Sequence, residues 1–376
     1  MTDCVLLVAG DPSGDLHGAR LAQALRKLRP GLKVAAVGGP CLKREADEFL
    51  GDLASLGLVG FVEPVRSLPT LLRVGRRLHA FMAQRRPLAV VCIDYYGFNR
   101  RVLGMAKRLG LPTYYFISPQ VWASRPGRLK ALKRLVDRML LIFPFERKIY
   151  EEARIPFTFV GHPLLDLLPP ARLTPRPTRE LRLGLLPGSR AGEVSRHLPV
   201  FLQALARMRK DYPESSAFVF AAPSLPDSAY AAATSEGAIL VRESDYRVRA
   251  TLDVALTSSG TATLENALLG LPMVVVYKMS WPTYAIARAL IRVPYISMAN
   301  LLAGRELVPE LVQRQATGKA VAEAALRLLE NPRRLAALRQ DLAALRGDLG
   351  GPGAAERAAE AILTDAPVRR AEVPAA

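Results

Sequence analysis

Residues 4–18 read Cys-Val-Leu-Leu-Val-Ala-Gly-Asp-Pro-Ser-Gly-Asp-Leu-His-Gly, and the fold follows from how this stretch is read. Six apolar residues, Cys4–Ala9, suit a strand buried on both faces, because nothing in them alternates with a polar partner. Glycine and aspartate then break the run, and Asp15–Leu28 continues with apolar residues at helical spacing. Strand, tight turn and helix together open a parallel sheet covered on both faces.

The alternation is sustained. Val34–Val37, Val59–Val62, Ala89–Ile93, Thr113–Ile117, Met139–Ile142 and Thr158–Val160 read as further strands. Leu68–Gln84, Asn99–Leu109, Arg128–Val136 and Phe145–Ala153 read as helices between them. Leu167–Arg182 interrupts the pattern with Pro169, Pro170, Pro175 and Pro177, which lack the amide hydrogen that a helix or inner strand needs. Strands then resume at Arg182–Leu186, Ala217–Ala221, Ile239–Val241, Val254–Thr257 and Met273–Val276, with helices at Gly192–Lys210, Thr261–Leu269 and Tyr284–Arg292. From Thr317 to Leu363 the chain is Ala/Leu/Arg/Glu-rich and helical, with breaks at Asn331-Pro332 and Gly347–Gly353. The expected organisation is an α/β domain over 1–168, a linker over 169–181, a second α/β domain over 182–345, and a C-terminal helix with a frayed tail over 346–376. That last segment packs back on the first domain or on a partner chain.

Composition agrees with this architecture. A chain of 376 residues is two or three domains long at about 150 residues each. Half the residues are hydrophobic, which excludes a disordered chain, yet no run reaches the ~20 apolar residues of a membrane span. Three scattered cysteines make no disulfide framework, and Met1-Thr2-Asp3 does not open a secretory signal, so the expected compartment is the cytosol. The formal charge of +18 favours anionic partners, but no helix-turn-helix, RNP or zinc-finger pattern supports nucleic acid. With four dispersed histidines and no HExxH, neither a metal nor a cofactor is expected.

Ligands of open parallel sheets bind beyond the carboxyl ends of the strands, and two such domains are expected to face a common cleft. The residues after each strand are therefore the candidates. Asp11, Ser13, Gly14 and Asp15 stand at a helix start: Ser13 or Asp15 is placed to cap it, and the same start offers N–H groups to a sugar or phosphate. In Ile93–Asn99, Asp94 sits at a strand tip among Tyr95, Tyr96 and Phe98, where partial desolvation suits a general base; Asn99 reads as the helix cap. Ser118, Gln120 and Trp122, ahead of the basic run from Arg125, suit a sugar face and a phosphate. Gly188, Ser189 and Arg190 form a turn opening onto Glu193, and the planar fork of an arginine there matches pyrophosphate oxygens. Ser259, Gly260 and Thr261 place hydroxyls at a helix N-terminus, and Glu265, one turn on, suits ribose hydroxyls. Asn300–Glu310, with Arg305 and Glu306, reads as a polar loop suited to ligand contacts.

Eight segments in order carry a resemblance: AGDPSGDLHG from Ala9, IDYYGFN from Ile93, ISPQVWAS from Ile117, FPFE from Phe143, FVGHPLLD from Phe159, LPGSRAGEV from Leu186, SGTATLENAL from Ser259 and NLLAGRELVPELVQ from Asn300. In these the chain resembles the lipid-A-disaccharide synthases, metal-independent glycosyltransferases built from two Rossmann-like domains (GT-B). The resemblance implies transfer of 2,3-diacylglucosamine from its UDP derivative to 2,3-diacylglucosamine 1-phosphate, at the cytoplasmic face of the inner membrane. Some members dimerise by exchanging C-terminal segments. It places the general base on Asp94, the phosphate arginine on Arg190, the donor side on Ser259, Gly260, Thr261 and Glu265, and a late loop on Asn300, Arg305 and Glu306. Three acceptor-side positions depart from the family pattern: Asp11 replaces Glu, Tyr96 replaces Pro, and Ser124 replaces Trp. The rival readings are a UDP-sugar epimerase or a catalytically altered relative on the same scaffold.

Acylated substrates imply a membrane contact. Leu58–Met82 interleaves Val62, Val65, Leu68, Leu71, Leu72, Val74, Leu78, Phe81 and Met82 with Arg66, Arg73, Arg76 and Arg77. Such a segment either lies in a lipid interface or packs as a core helix.

Overall fold

The computed structural model describes residues 3–54, 68–121, 127–174, 180–242, 246–281, 284 and 293–365. The chain divides into two compact units, Met1–Pro163 with Leu349–Ala376, and Leu164–Asp348.

The sheet of the first unit has the order β3-β2-β1-β4-β5-β6-β7 among the described residues. Its strands are β1 Cys4–Ala9, β2 Lys33–Gly38, β3 Glu48–Asp52, β4 Ala89–Ile93, β5 Thr113–Phe116, β6 Arg138–Leu141 and β7 Phe157–Phe159. Neighbouring side chains on a strand point to opposite faces, so two cores form. Val5, Leu7 and Ala9 pack with Leu21 and Leu25 of the helix Pro12–Leu28 and with Ala358 and Ile362 of Ala354–Asp365. Leu6 and Val8 pack on the other face with Leu78 and Met82 of Leu68–Arg85 and Val102 of Tyr96–Arg108. The C-terminal helix thus belongs to the first unit. Arg357 there donates to the Val160 carbonyl at 2.7 Å, and the Leu349 carbonyl accepts from the His162 amide at 2.9 Å.

The second sheet has the order β10-β9-β8-β11-β12-β13. It comprises β8 Arg182–Leu186, β9 Ser216–Phe220, β10 Ile239–Val241, β11 Val254–Ser258, β12 Met273–Tyr277 and β13 Glu310–Val312. Leu183, Leu185, Val254 and Leu256 pack against Phe201 and Leu205 of Ala191–Asp211 and Val321 and Ala325 of Gly318–Leu329. In the proline-containing stretch, Arg172 is tied to the second unit through the Thr251 and Leu252 carbonyls and an ion pair with Asp253.

Three sequence expectations change. Strand β3 escaped notice because EFLGD carries an acid at each end and a glycine, as suits a short edge strand. Asn300–Glu310 is no polar loop between helices. Asn300 lies in the helix Met298–Ala303 and Glu310 begins β13, an edge strand of three residues. In Leu68–Arg85, Val74, Leu78, Phe81 and Met82 face the core, so they are unavailable to lipid. Residues 58–67, including the expected strand Val59–Val62, lie outside the described residues, as does most of Tyr284–Arg292. Among the described residues no helix is long and apolar enough to cross a membrane.

Candidate active site

Each strand order reverses once, between β1 and β4 in the first unit and between β8 and β11 in the second. At such a reversal the flanking connections leave on opposite faces and open a crevice at the carboxyl ends. Ala9 pairs with Ile93, so Gly10-Asp11 and Asp94-Tyr95 leave the first sheet side by side. Their approach is close: a Cβ on Gly10 would stand 2.1 Å from the Tyr95 ring, so only glycine fits there.

Asp94 occupies a strained turn. Asp94 and Tyr95 both adopt left-handed backbone, at φ 45° and 40°, and Ile117 after β5 does so at 65°. Such conformations cost of order 1–3 kcal/mol each and persist only where surrounding bonds over-determine them. Here the Asp94 amide donates to the Phe116 carbonyl at 2.9 Å. The Asp94 carbonyl accepts from Asn99 Nδ2 at 2.8 Å and from the Tyr115 hydroxyl. Asn99 also donates to the Ile93 carbonyl at 3.0 Å, so it pins the strand end and does not cap the helix. The Asp94 carboxylate accepts one bond, from the Tyr95 amide at 2.8 Å. Burial, reinforced by the nearby Asp11 charge and opposed by that amide, raises its pKa to about 6. This keeps it ionised at neutral pH while making it far more basic than an ordinary aspartate.

The other first-unit candidates divide between site and scaffold. Asp11 is the helix cap, accepting from the Gly14 amide at 2.6 Å, where Ser13 or Asp15 was expected. Asp15 is only 2 % exposed and accepts from the amides of Gly39, Cys41 and Leu42, so it caps the neighbouring helix Pro40–Glu45 and faces no ligand. Ser118 is buried with its hydroxyl on that of Tyr150, which makes it a packing contact. Ser13 and Gln120 are exposed. Trp122 and Ser124 lie outside the described residues.

In the second unit Leu186 pairs with Thr257, so two turns again start together. Gly188, at φ 123°, makes room for Glu193: a Cβ there would stand 2.6 Å from the Glu193 carboxylate. That carboxylate accepts from the Ser189 amide at 3.0 Å and pairs with Arg190 at 3.2 Å. Arg190, 63 % exposed, is thus a cation standing at the positive end of the helix Ala191–Asp211. This is an unfavourable place for positive charge, which the Glu193 carboxylate beside it offsets. His197, buried and held neutral by burial, bridges the turn to the end of β12, through the Pro187 carbonyl at 2.8 Å and the Lys278 amide at 2.9 Å.

After β11, Gly260 at φ 147° starts the helix Thr261–Leu268 without a side-chain cap, which leaves first-turn N–H groups for a ligand. The hydroxyls contribute less than expected. Ser259 donates to the Ile296 carbonyl at 2.6 Å and Thr263 to that of Gly260 at 2.7 Å; Thr261 is exposed. Glu265 accepts from Tyr246 and Arg249, two partners that no sequence motif marked. Asn300 is fully buried: its amide donates to the Val308 carbonyl and Glu310, and its oxygen accepts from the amides of Leu307 and Val308. With that side chain fully used, its assignment to ligand contact gives way to a structural one. Arg305 is exposed and paired with Asp341 at 2.7 Å, and Glu306 is exposed.

Comparison with known proteins follows the same lines. The sequence profile of the lipid-A-disaccharide synthetase family matches residues 5–364. The lipid-A-disaccharide synthase of Anaeromyxobacter dehalogenans is 40 % identical over 381 residues, covering 96 % of this chain and 97 % of the relative. The chain belongs to the lipid-A-disaccharide synthase family. The resemblance read from eight segments is borne out, and with it a glycosyltransferase of lipid A synthesis. Two solved structures share the fold alone. The UDP-GlcNAc 2-epimerase of Neisseria meningitidis, bound to UDP-GlcNAc, superposes with a TM-score of 0.63 at 12 % identity, covering 97 % of this chain and all (100 %) of that one. The calicheamicin glycosyltransferase CalG4 does so at 0.61 and 18 %, covering 97 % and 99 %. Architecture by itself would admit an epimerase; full-length similarity to lipid-A-disaccharide synthases decides for transfer.

Proposed function

We propose that this chain transfers 2,3-diacylglucosamine from UDP-2,3-diacylglucosamine to 2,3-diacylglucosamine 1-phosphate, giving the β-1,6-linked disaccharide 1-phosphate and UDP. The observation that carries the reading is the Asp94 turn: a desolvated carboxylate of raised basicity, held by its backbone at the reversal point of the first sheet. Asp94 takes the proton of the acceptor hydroxyl as the oxygen attacks the anomeric carbon. The bond from that carbon to the UDP oxygen breaks on the opposite face, and its electron pair leaves with UDP. Arg190 and the uncapped start of Thr261–Leu268 receive the departing charge. Glu265 accepts the ribose hydroxyls. Incubation with both sugars, followed by mass spectrometry, is expected to show UDP and tetraacyl disaccharide 1-phosphate in equal amounts. Isomerisation of the UDP-sugar alone, with no disaccharide, would overturn the assignment.

Both substrates carry acyl chains, so the reaction meets a lipid surface. The outward side of Leu68–Arg85 presents Leu72, 50 % exposed, beside the exposed Arg73, Arg76 and Arg77. We expect sedimentation with anionic vesicles that weakens as salt rises, and about fivefold weaker partitioning for each arginine changed to glutamine. Binding that ignores salt and these substitutions would remove this face from the contact.

A further inference from the structure

The geometry points to Arg249 and Tyr246 as positioning residues that orient Glu265 toward the ribose diol of the nucleotide, an inference that rests on the proposed role of Glu265. Three elements of the second unit meet here. Glu265 comes from the helix after β11, Tyr246 and Arg249 from the link between β10 and β11, and Phe220 from the end of β9. One carboxylate oxygen accepts from the Tyr246 hydroxyl at 2.8 Å and the other from Arg249 at 2.5 Å. The Arg249 guanidinium lies over the rings of both Phe220 and Tyr246, 5.1 Å from each centroid. Tyr246 itself takes a left-handed backbone, φ 60°, to enter the short helix Arg247–Ala250.

Two donors on two different oxygens leave the carboxylate one rotamer. Each ionised oxygen has a second lone pair, so the held group can still accept from two adjacent hydroxyls. Glu265 is 15 % exposed and Arg249 12 %, so the acceptor reaches solvent from a base walled by aromatic rings. Without Arg249 and Tyr246 the glutamate would swing among rotamers, and binding would have to order it at the expense of affinity.

Calorimetric binding of UDP and 2′,3′-dideoxy-UDP to the intact chain separates these contributions. Wild type is expected to prefer UDP by about tenfold or more, as for hydrogen bonds to a charged acceptor. Glu265→Gln removes most of that preference. Arg249→Met weakens UDP binding while leaving dideoxy-UDP binding unchanged, so the preference falls to about threefold or less, half the logarithm of tenfold. Arg249→Lys recovers part of it, and Tyr246→Phe, which leaves the ion pair in place, loses a smaller share. In turnover the same variants raise the donor KM with kcat little changed. A wild-type preference lost in Glu265→Gln but intact in Arg249→Met and Tyr246→Phe would overturn the positioning role. No preference in wild type, or full preference in Glu265→Gln, would overturn the reading of Glu265 and this inference with it.

Discussion

Asp94→Asn is expected to lower kcat by about 10²–10⁴, the range for loss of a positioned general base, while UDP binding survives. Asparagine keeps the size of the side chain and an oxygen for the Tyr95 amide, and the bonds that hold the strained turn run to the backbone of residue 94. The turn therefore stays and only the basicity goes. The sign of the pH dependence follows from the same group. The base works ionised, so kcat/KM should fall as pH drops through about 6 and level off above it. Asp11→Asn tests the origin of that value. Asparagine caps a helix as well as aspartate, so the Pro12–Leu28 start is retained while the neighbouring charge is lost. The acid limb should then move to lower pH. A pH–rate profile for each variant checks both statements. Near-wild-type turnover in Asp94→Asn would remove Asp94 from its role.

Arg190→Met is expected to cost about 10²–10³ in kcat, as for loss of a preorganised group at developing negative charge. Its side chain is held by the exposed pair with Glu193, a kind of interaction worth about 0–1 kcal/mol, so the melting midpoint should stay near that of wild type. Large loss of activity with little loss of stability would mark a residue held for ligand. Arg190→Lys should recover only part, because an ammonium restores the charge but not the planar fork. Steady-state kinetics beside calorimetric UDP binding measures this, and unchanged kcat in Arg190→Met would refute it.

The strands were legible because a strand buried on both faces must be apolar throughout. Cys4–Ala9, Ala89–Ile93 and Arg182–Leu186 read from sequence with their observed bounds. At the sheet edges an apolar run such as Ile239–Val241 was still read, whereas β3 and β13, which open with an acid and are only partly buried, were missed. Among polar residues the failure has one cause. Sequence shows that an oxygen or nitrogen is present near a strand end, but not which way it points. Asp15, Ser118 and Asn300 looked like ligand groups and instead satisfy buried amides and hydroxyls. Asn99 looked like a cap and instead pins the Asp94 turn.

Local pattern alone determined that this chain builds two parallel sheets, with the candidate groups at their carboxyl ends, because burial and helix geometry repeat over a few residues. The eight ordered segments likewise determined the family. Tertiary structure decided which of those polar groups are free to act. Asp94 gains its basicity from burial and from Asp11, a residue 83 positions away in the chain and adjacent only through the pairing of β1 with β4. Glu265 gains its orientation from Arg249 and Tyr246, which another connection supplies. A site's chemistry depends on desolvation and on neighbours, and neither exists until the chain has folded.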